Sequence, residues 1–410
     1  MSARSAIDPA ALHDDAFCRD PFPVWERLRH EAPLFHDTID DVYVLTRYDD
    51  VASVLRDDAT YSTWIYKTWF GDVMGDTFAQ HDGERHTRER ARIAPHLVGA
   101  PLDRLLRPTV EAVSVEVVRE LPKGNIDLIG PFTFRLPGLV MASLFTIPAS
   151  ERARFLELAG AISLGLVGGE DELAAGRAAR SELEKWTTLR LAERRSDGGP
   201  DDLLEWLRGP DATGAVLDDD YICTNVNFLA AAGSSTVDYA LRNVLWVLLA
   251  HPDLAAAAGE GNVELLDRAV TEAFRFAPPV PYEGRITTED VEWYDRTIPR
   301  GSIVRVALAS ATNDEAVFAD PRRFDPARSD VWAGDSRGGI RRDRSASHLA
   351  FGLGSHFCAG YKLSRLEARE GLTRLFRDRR PRLAEPLPPL RIHQHHLTIP
   401  CLRVTLAQGG

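Results

Sequence analysis

Residues Phe351–Gly360 read FGLGSHFCAG, one cysteine inside a glycine-rich turn, and a helical pattern follows at once through Leu363, Leu366, Leu372 and Leu375. A cysteine just ahead of a helix start meets unpaired backbone N–H groups and the positive end of the helix dipole, which favour thiolate over thiol. Cys358 is therefore a metal ligand, a nucleophile or, on the plainer reading, an inert thiol packed in a loop. Gly352, Gly354 and Gly360 would let the backbone turn tightly around the sulfur and approach a flat partner without Cβ atoms between them.

The chain around this stretch is 410 residues long, 44% hydrophobic and 27% charged, enough for a large core and more than one core of usual size. Cys18, Cys223, Cys358 and Cys401 form no C-x-x-C pair and no zinc-type spacing, which suits a reducing cytoplasm. The N-terminal residues lack the apolar centre of a signal peptide, and the apolar stretch Leu136 to Pro148 is too short to span a bilayer. A net charge of −12 argues against general nucleic-acid binding, which needs a basic face. The expectation is a cytoplasmic monomer that binds neither membrane nor nucleic acid.

The decapeptide resembles the haem-binding loop of the cytochrome P-450 family, Phe-Gly-x-Gly-x-His-x-Cys-x-Gly, at every fixed position. The resemblance implies a mainly α fold, with a large helical region and a small β-rich lobe. That lobe would use residues of about 20–60, 280–310 and 390–406 within one domain spanning 1–410. It further implies haem b as cofactor and Cys358 as the proximal thiolate on its iron, with Phe351, Gly352, His356 and Gly360 around the cofactor.

Other motifs agree with it. His86 and Arg90 lie four apart on one helix face and resemble the family's propionate-binding pair, while Arg88 and Arg92 are expected to stay solvated. Arg285, after a proline-rich extended path, matches another propionate contact. A pattern from about Asp218 to Ala250 predicts roughly 50 Å of helix. Its weak centre, Gly233-Ser234-Ser235-Thr236, predicts a local kink opened by hydroxyls. Ala232, Gly233 and Thr236 match the family's oxygen-binding groove, whereas Ser235 stands where a proton-relaying acid is usual. Asp238 is a candidate substitute. Glu272 and Arg275 resemble the family's Glu-x-x-Arg pair, with Arg323 of DPRRFDP as the expected third member of a buried triad.

For the substrate, Trp64, Tyr66 and Trp69 in an aromatic loop, Phe228 and Ala231 on the long helix, Val280 and Tyr282 on the proline path, and Leu397 in a closing turn are the expected lining. An apolar wall with few polar points suits a medium-sized hydrophobic molecule. The basic run RGGIRRDR, Arg337–Arg344, with Lys362 and Arg365 expected to join it, offers a docking face for a small acidic electron donor such as a ferredoxin or flavodoxin. The expected reaction is insertion of one atom of O2 by hydroxylation or epoxidation, with Thr236 in a hydrogen-bond relay. A peroxide-driven or isomerising haem-thiolate enzyme and a non-catalytic haem-thiolate sensor remain the alternatives.

Overall fold

The computed structural model describes residues 7–407, which fall into two compact units. The first comprises the chain through Ile65 together with Thr271–Cys358 and Pro388–Pro400. It is built on a mixed five-stranded sheet in the order Leu34–Asp37, Val42–Leu45, Ile303–Val306, Glu283–Thr287, Tyr61–Ser62. Val42–Leu45 lies antiparallel to Leu34–Asp37 and parallel to Ile303–Val306, with Leu34 opposite Leu45 and Leu45 opposite Val306. The branched and aliphatic residues of these strands cover one core with Tyr48, Val51 and Leu55 of the helix Tyr48–Arg56. Leu349 and Leu353, which flank the start of the cysteine stretch, are buried in the same core. At about 1.5–3 kcal/mol for each large aliphatic side chain, that burial ties the glycine-rich loop to the sheet.

The second unit comprises Tyr66–Val270, Ala359–Leu387 and the chain from Cys401 onward, and it is mostly helical. Its axis is the helix Asp219–Ala250, 32 residues or about 48 Å. The Asp218 side chain caps it on the amide of Tyr221 at 2.8 Å, and Asp219 and Asp220 complement the dipole. It stops where His251 precedes Pro252, with the His251 ring bonded back to the Val247 carbonyl at 2.7 Å.

The expected opening at Gly233–Thr236 does not occur. Each hydroxyl donates to the carbonyl four residues earlier, Ser234 to Ala230 at 2.7 Å, Ser235 to Ala231 at 2.9 Å and Thr236 to Ala232 at 2.8 Å. They share carbonyls with the backbone ladder instead of displacing it, and the helix runs unbroken.

Three local expectations are corrected. Ser62–Phe78 contains a helix, Ile65–Met74, because Tyr66, Trp69 and Phe70 fall at helical spacing and Tyr66 stacks on Phe70 at 5.3 Å. The closing stretch LTIPCLRVTL, residues 397–406, reads as one hairpin with Leu397 in its turn, but the hairpin observed is Arg391–His393 with His396–Thr398, so Leu397 sits in a strand. Its turn holds Gln394 and His395 at positive φ. Arg403–Leu406 pairs instead with Gly124–Asp127 and Arg382–Leu383. Arg92 is buried, donating to the carbonyls of Gly209 and Ala215 to pin that loop. No helix among the described residues is long and apolar enough to cross a membrane.

Candidate active site

In the first unit the cysteine loop closes on itself through a hydrogen bond from the Cys358 amide to the Phe351 carbonyl at 2.9 Å. Cys358 is half-buried, and in the chain it stands three positions before Tyr361, the first residue of the nineteen-residue helix Tyr361–Arg379, whose N-cap is Gly360. Gly352 and Gly354 have φ of +67° and +70°, which favour glycine. A Cβ on Gly354 would stand 2.6 Å from the Leu55 carbonyl oxygen. One on Gly352 would stand 3.2 Å from Glu283. Their missing side chains therefore seat the loop against its own unit, correcting the expectation that they face a flat partner.

Aromatic packing fixes the start of the loop. Phe351 lies 4.8 Å from Phe274 and 5.6 Å from His348, and His348 stacks on Phe274 at 13°. Beneath this cluster is an ion-pair network. Arg275 donates to both carboxylate oxygens of Glu272 at 2.8 Å, and both residues are fully buried. The third member is Arg328, whose Nε lies 3.0 Å from Glu272, whereas the Arg323 side chain is exposed and only its carbonyl oxygen takes part, accepting from Arg328 at 3.2 Å. The family resemblance points to Arg323, but three arginines follow Asp320 within eight residues, and only the turn at Asp325–Arg328 decides which one points inward. Arg328 also reaches Asp330 at 3.0 Å, next to the strand Val331–Trp332 that pairs with Ala346–Ser347 just ahead of the loop.

Arg285 is buried in the strand Glu283–Thr287, donating to the Gly284 carbonyl and to Glu283, both at 2.8 Å. His356 is half-buried within the loop's short 3₁₀ turn.

In the second unit, His86 and Arg90 share the helix Gly83–Arg90, His86 buried against Phe78 with ring centroids 6.4 Å apart and Arg90 half-buried. The long helix is buried along most of its middle but keeps a half-open stripe at Phe228, Leu229, Ala232, Gly233, Ser235 and Thr236. That spacing is one helical face. Ala231 and Leu397, expected in the lining, keep no accessible surface at all. A residue facing an open cavity would keep some, so both are packing residues, and Leu229 takes the place assigned to Ala231. Gly233 makes room for Met141, whose sulfur would stand 2.4 Å from an added Cβ.

Among the other expected lining residues, Val280 packs on the core of the first unit. Tyr282 accepts a hydrogen bond from Trp25 Nε1 at 3.0 Å, and burial pushes its hydroxyl pKa up. Phe228 packs edge-on against Phe78 at 5.4 Å. Tyr66 is half-buried, while Trp64 and Trp69 are 51% and 38% exposed. Asp238 is buried and paired with Arg242, so its carboxylate is committed. The basic run is exposed at Arg337, Arg341, Arg342 and Arg344, whereas Arg365 is half-buried and burial lowers its pKa.

A mainly helical chain with a small sheet, presenting one cysteine from a glycine loop at a helix start, has the form of a haem-thiolate protein. The Cytochrome P450 family model matches residues 183–385. Cytochrome P450 monooxygenase PikC of Streptomyces venezuelae is 32% identical over 394 residues, 93% of this chain and 89% of PikC. The Vitamin D(3) 25-hydroxylase of Pseudonocardia autotrophica is 31% identical over 91% of this chain and 89% of its own. The crystal structure of CalO2 superposes with a TM-score of 0.84 over 99% of this chain and all of CalO2, at 24% identity. The chain belongs to the cytochrome P450 family and is a haem b monooxygenase. Each unit carries residue types that suit that cofactor: the first a half-buried thiol, an arginine and a histidine at Cys358, Arg285 and His356, the second a histidine and an arginine at His86 and Arg90, thiolate chemistry for iron and N–H donors for carboxylates.

Proposed function

We propose that this monooxygenase hydroxylates or epoxidises a medium-sized hydrophobic small molecule with electrons from a ferredoxin or flavodoxin. The observation that carries the reading is the half-open face of the long helix, apolar at Phe228, Leu229 and Ala232 and hydroxylated at Ser235 and Thr236. Such a face excludes bulk water from an apolar ligand at one end and offers proton-handling groups at the other. One relative, by its name, hydroxylates vitamin D(3), a molecule of that character.

In this reading Cys358 would hold the haem iron as a thiolate. His86, Arg90, Arg285 and His356 bind the propionates. A propionate oxygen needs a single N–H whereas an apolar wall needs area, so the burial of His86 and Arg285 is no obstacle to that role. When bound, the haem supplies dioxygen activation, one oxygen atom going to substrate and the other to water. Thr236 Oγ1, while donating to the Ala232 carbonyl, has a lone pair that would accept from a water and order it, and rotation about the Cβ–Oγ1 bond would turn its proton from the carbonyl into that relay. Ser235 supplies a second hydroxyl but no carboxylate.

Reduced protein treated with carbon monoxide should show the far red-shifted Soret band of a thiolate ligand, lost in Cys358→Ala. Product should then form with ferredoxin, its reductase and NAD(P)H when ferric protein is offered compounds that displace the iron-bound water. A second reading, a peroxide-driven enzyme, is favoured by the serine at 235 and the commitment of Asp238 to Arg242. Faster turnover with peroxide alone than with the reductase system would establish it instead.

A further inference from the structure

A groove in the second unit involves none of the residues assigned above. Its floor is apolar, formed by Leu249 at the end of the long helix, Ala255 and Ala256 of the helix Pro252–Glu260, and Phe376 of the helix Tyr361–Arg379. Its volume is about 700 Å³, within the roughly 300–1,000 Å³ of small-molecule sites. The rim carries Arg377, Arg380 and Arg382 against a single carboxylate, Glu260. All three arginines are exposed, and among the described residues none of them makes an ion pair or a side-chain hydrogen bond. Exposed arginines elsewhere on this chain either pair, as Arg154, Arg177 and Arg195 do with Glu182, Asp72 and Asp219, or stand unpaired, as Arg323 and Arg342 do; at this groove three unpaired ones border one apolar floor.

Arg380 supplies an independent observation. It is the C-cap residue of its helix, in the left-handed conformation at φ +41°. Glycine is favoured there, and any side chain adds strain. The helix dipole accounts for Arg377 and the carbonyls of Val118 and Pro122 hold Arg379, but neither accounts for a guanidinium at 380 or 382.

We propose that this groove binds a single-chain amphiphilic anion, a carboxylate on an alkyl chain. The head would meet the guanidinium groups of Arg377, Arg380 and Arg382, whose planar forks match a carboxylate, and the tail would lie on Leu249, Ala255, Ala256 and Phe376. The site is separate from the substrate face of the long helix and does not depend on the proposed reaction.

Dodecanoate is the probe, applied to holoenzyme. Equilibrium dialysis counts every bound molecule, whereas the Soret band reports only ligands that enter the haem pocket. We expect a saturable site that leaves the Soret band unmoved and that binds dodecanol at least tenfold more weakly. Arg380→Gly relieves the left-handed strain, so it folds at least as well as the parent, yet it should weaken this site tenfold or more. The double substitution Arg377→Gln with Arg382→Gln should do the same, and Ala256→Trp should fill the floor and abolish binding. The proposal is overturned if all bound dodecanoate accompanies a Soret change, if Arg380→Gly binds as the parent does, or if dodecanol binds equally well. Co-sedimentation with phosphatidylglycerol vesicles in the absence of dodecanoate binding would assign the arginines to a lipid surface and overturn it too.

Discussion

At the scale of single residues, Thr236 and Arg328 do different work and fail in different ways. Thr236 is half-open, and its hydroxyl is held by one carbonyl of its own helix. Thr236→Ala should leave folding and haem content unchanged while product formed per NAD(P)H consumed falls by roughly one to two orders of magnitude, the missing equivalents appearing as peroxide. Unchanged coupling in stopped-assay stoichiometry would refute the relay. Arg328, by contrast, neutralises a fully buried carboxylate. Arg328→Ala removes one of two guanidinium groups from Glu272, which keeps Arg275 and the Asp325 amide, and should cost about 1–3 kcal/mol in urea unfolding, with loss of haem on purification. Arg323→Ala removes an exposed side chain and should stay within about 0.5 kcal/mol of the parent.

At the scale of elements, the first turn of the long helix is fastened to the helix Gly83–Arg90 by a partly buried acid, Glu89. Burial alone would raise the Glu89 pKa, but hydrogen bonds from His81, Tyr221 and Arg85 overcome it and bring the value down to about 2. The Tyr221 hydroxyl donates to Glu89 at 2.5 Å, and His81 bridges Glu89 and Asp76 at 3.1 Å each. A carboxyl whose pKa is lower in the folded state stabilises the fold above its unfolded value and loses that contribution as pH falls toward its folded one. The stability gap between parent and Glu89→Gln should therefore be constant above about pH 5 and shrink between roughly pH 4.5 and 2, read from unfolding midpoints. A gap independent of pH would show that the contribution is packing.

On the scale of the whole molecule, the charge distribution decides encounter rather than fold. A chain of net charge −12 repels a small acidic electron donor except where arginines are exposed, as at Arg337 and Arg342 just ahead of the cysteine loop. Arg337→Glu with Arg342→Glu should slow ferredoxin-dependent reduction by about tenfold at low salt and flatten its dependence on ionic strength. Turnover driven by peroxide should be unaffected. Equal slowing of both routes would place the damage in the loop itself.

Much of this protein was legible before any coordinate. The turn at the cysteine loop and the long capped helix follow from local signals, glycines around one cysteine and three aspartates ahead of an apolar run, while the mainly helical class and the haem are what the loop's resemblance to the cytochrome P450 family implies. Those signals work because caps, dipoles and glycine conformations act within a few residues of the chain. What sequence could not assign was direction. Arg328 rather than Arg323 meets Glu272, Leu229 rather than Ala231 joins the open face, Tyr282 turns to Trp25, and Arg92 is buried. Each depends on which side of a turn or helix the rest of the fold covers, and that is set by packing between segments distant in sequence. The residue types and their spacing come from the chain itself; which of them reach the surface, the core or a ligand is decided only when the two units are built.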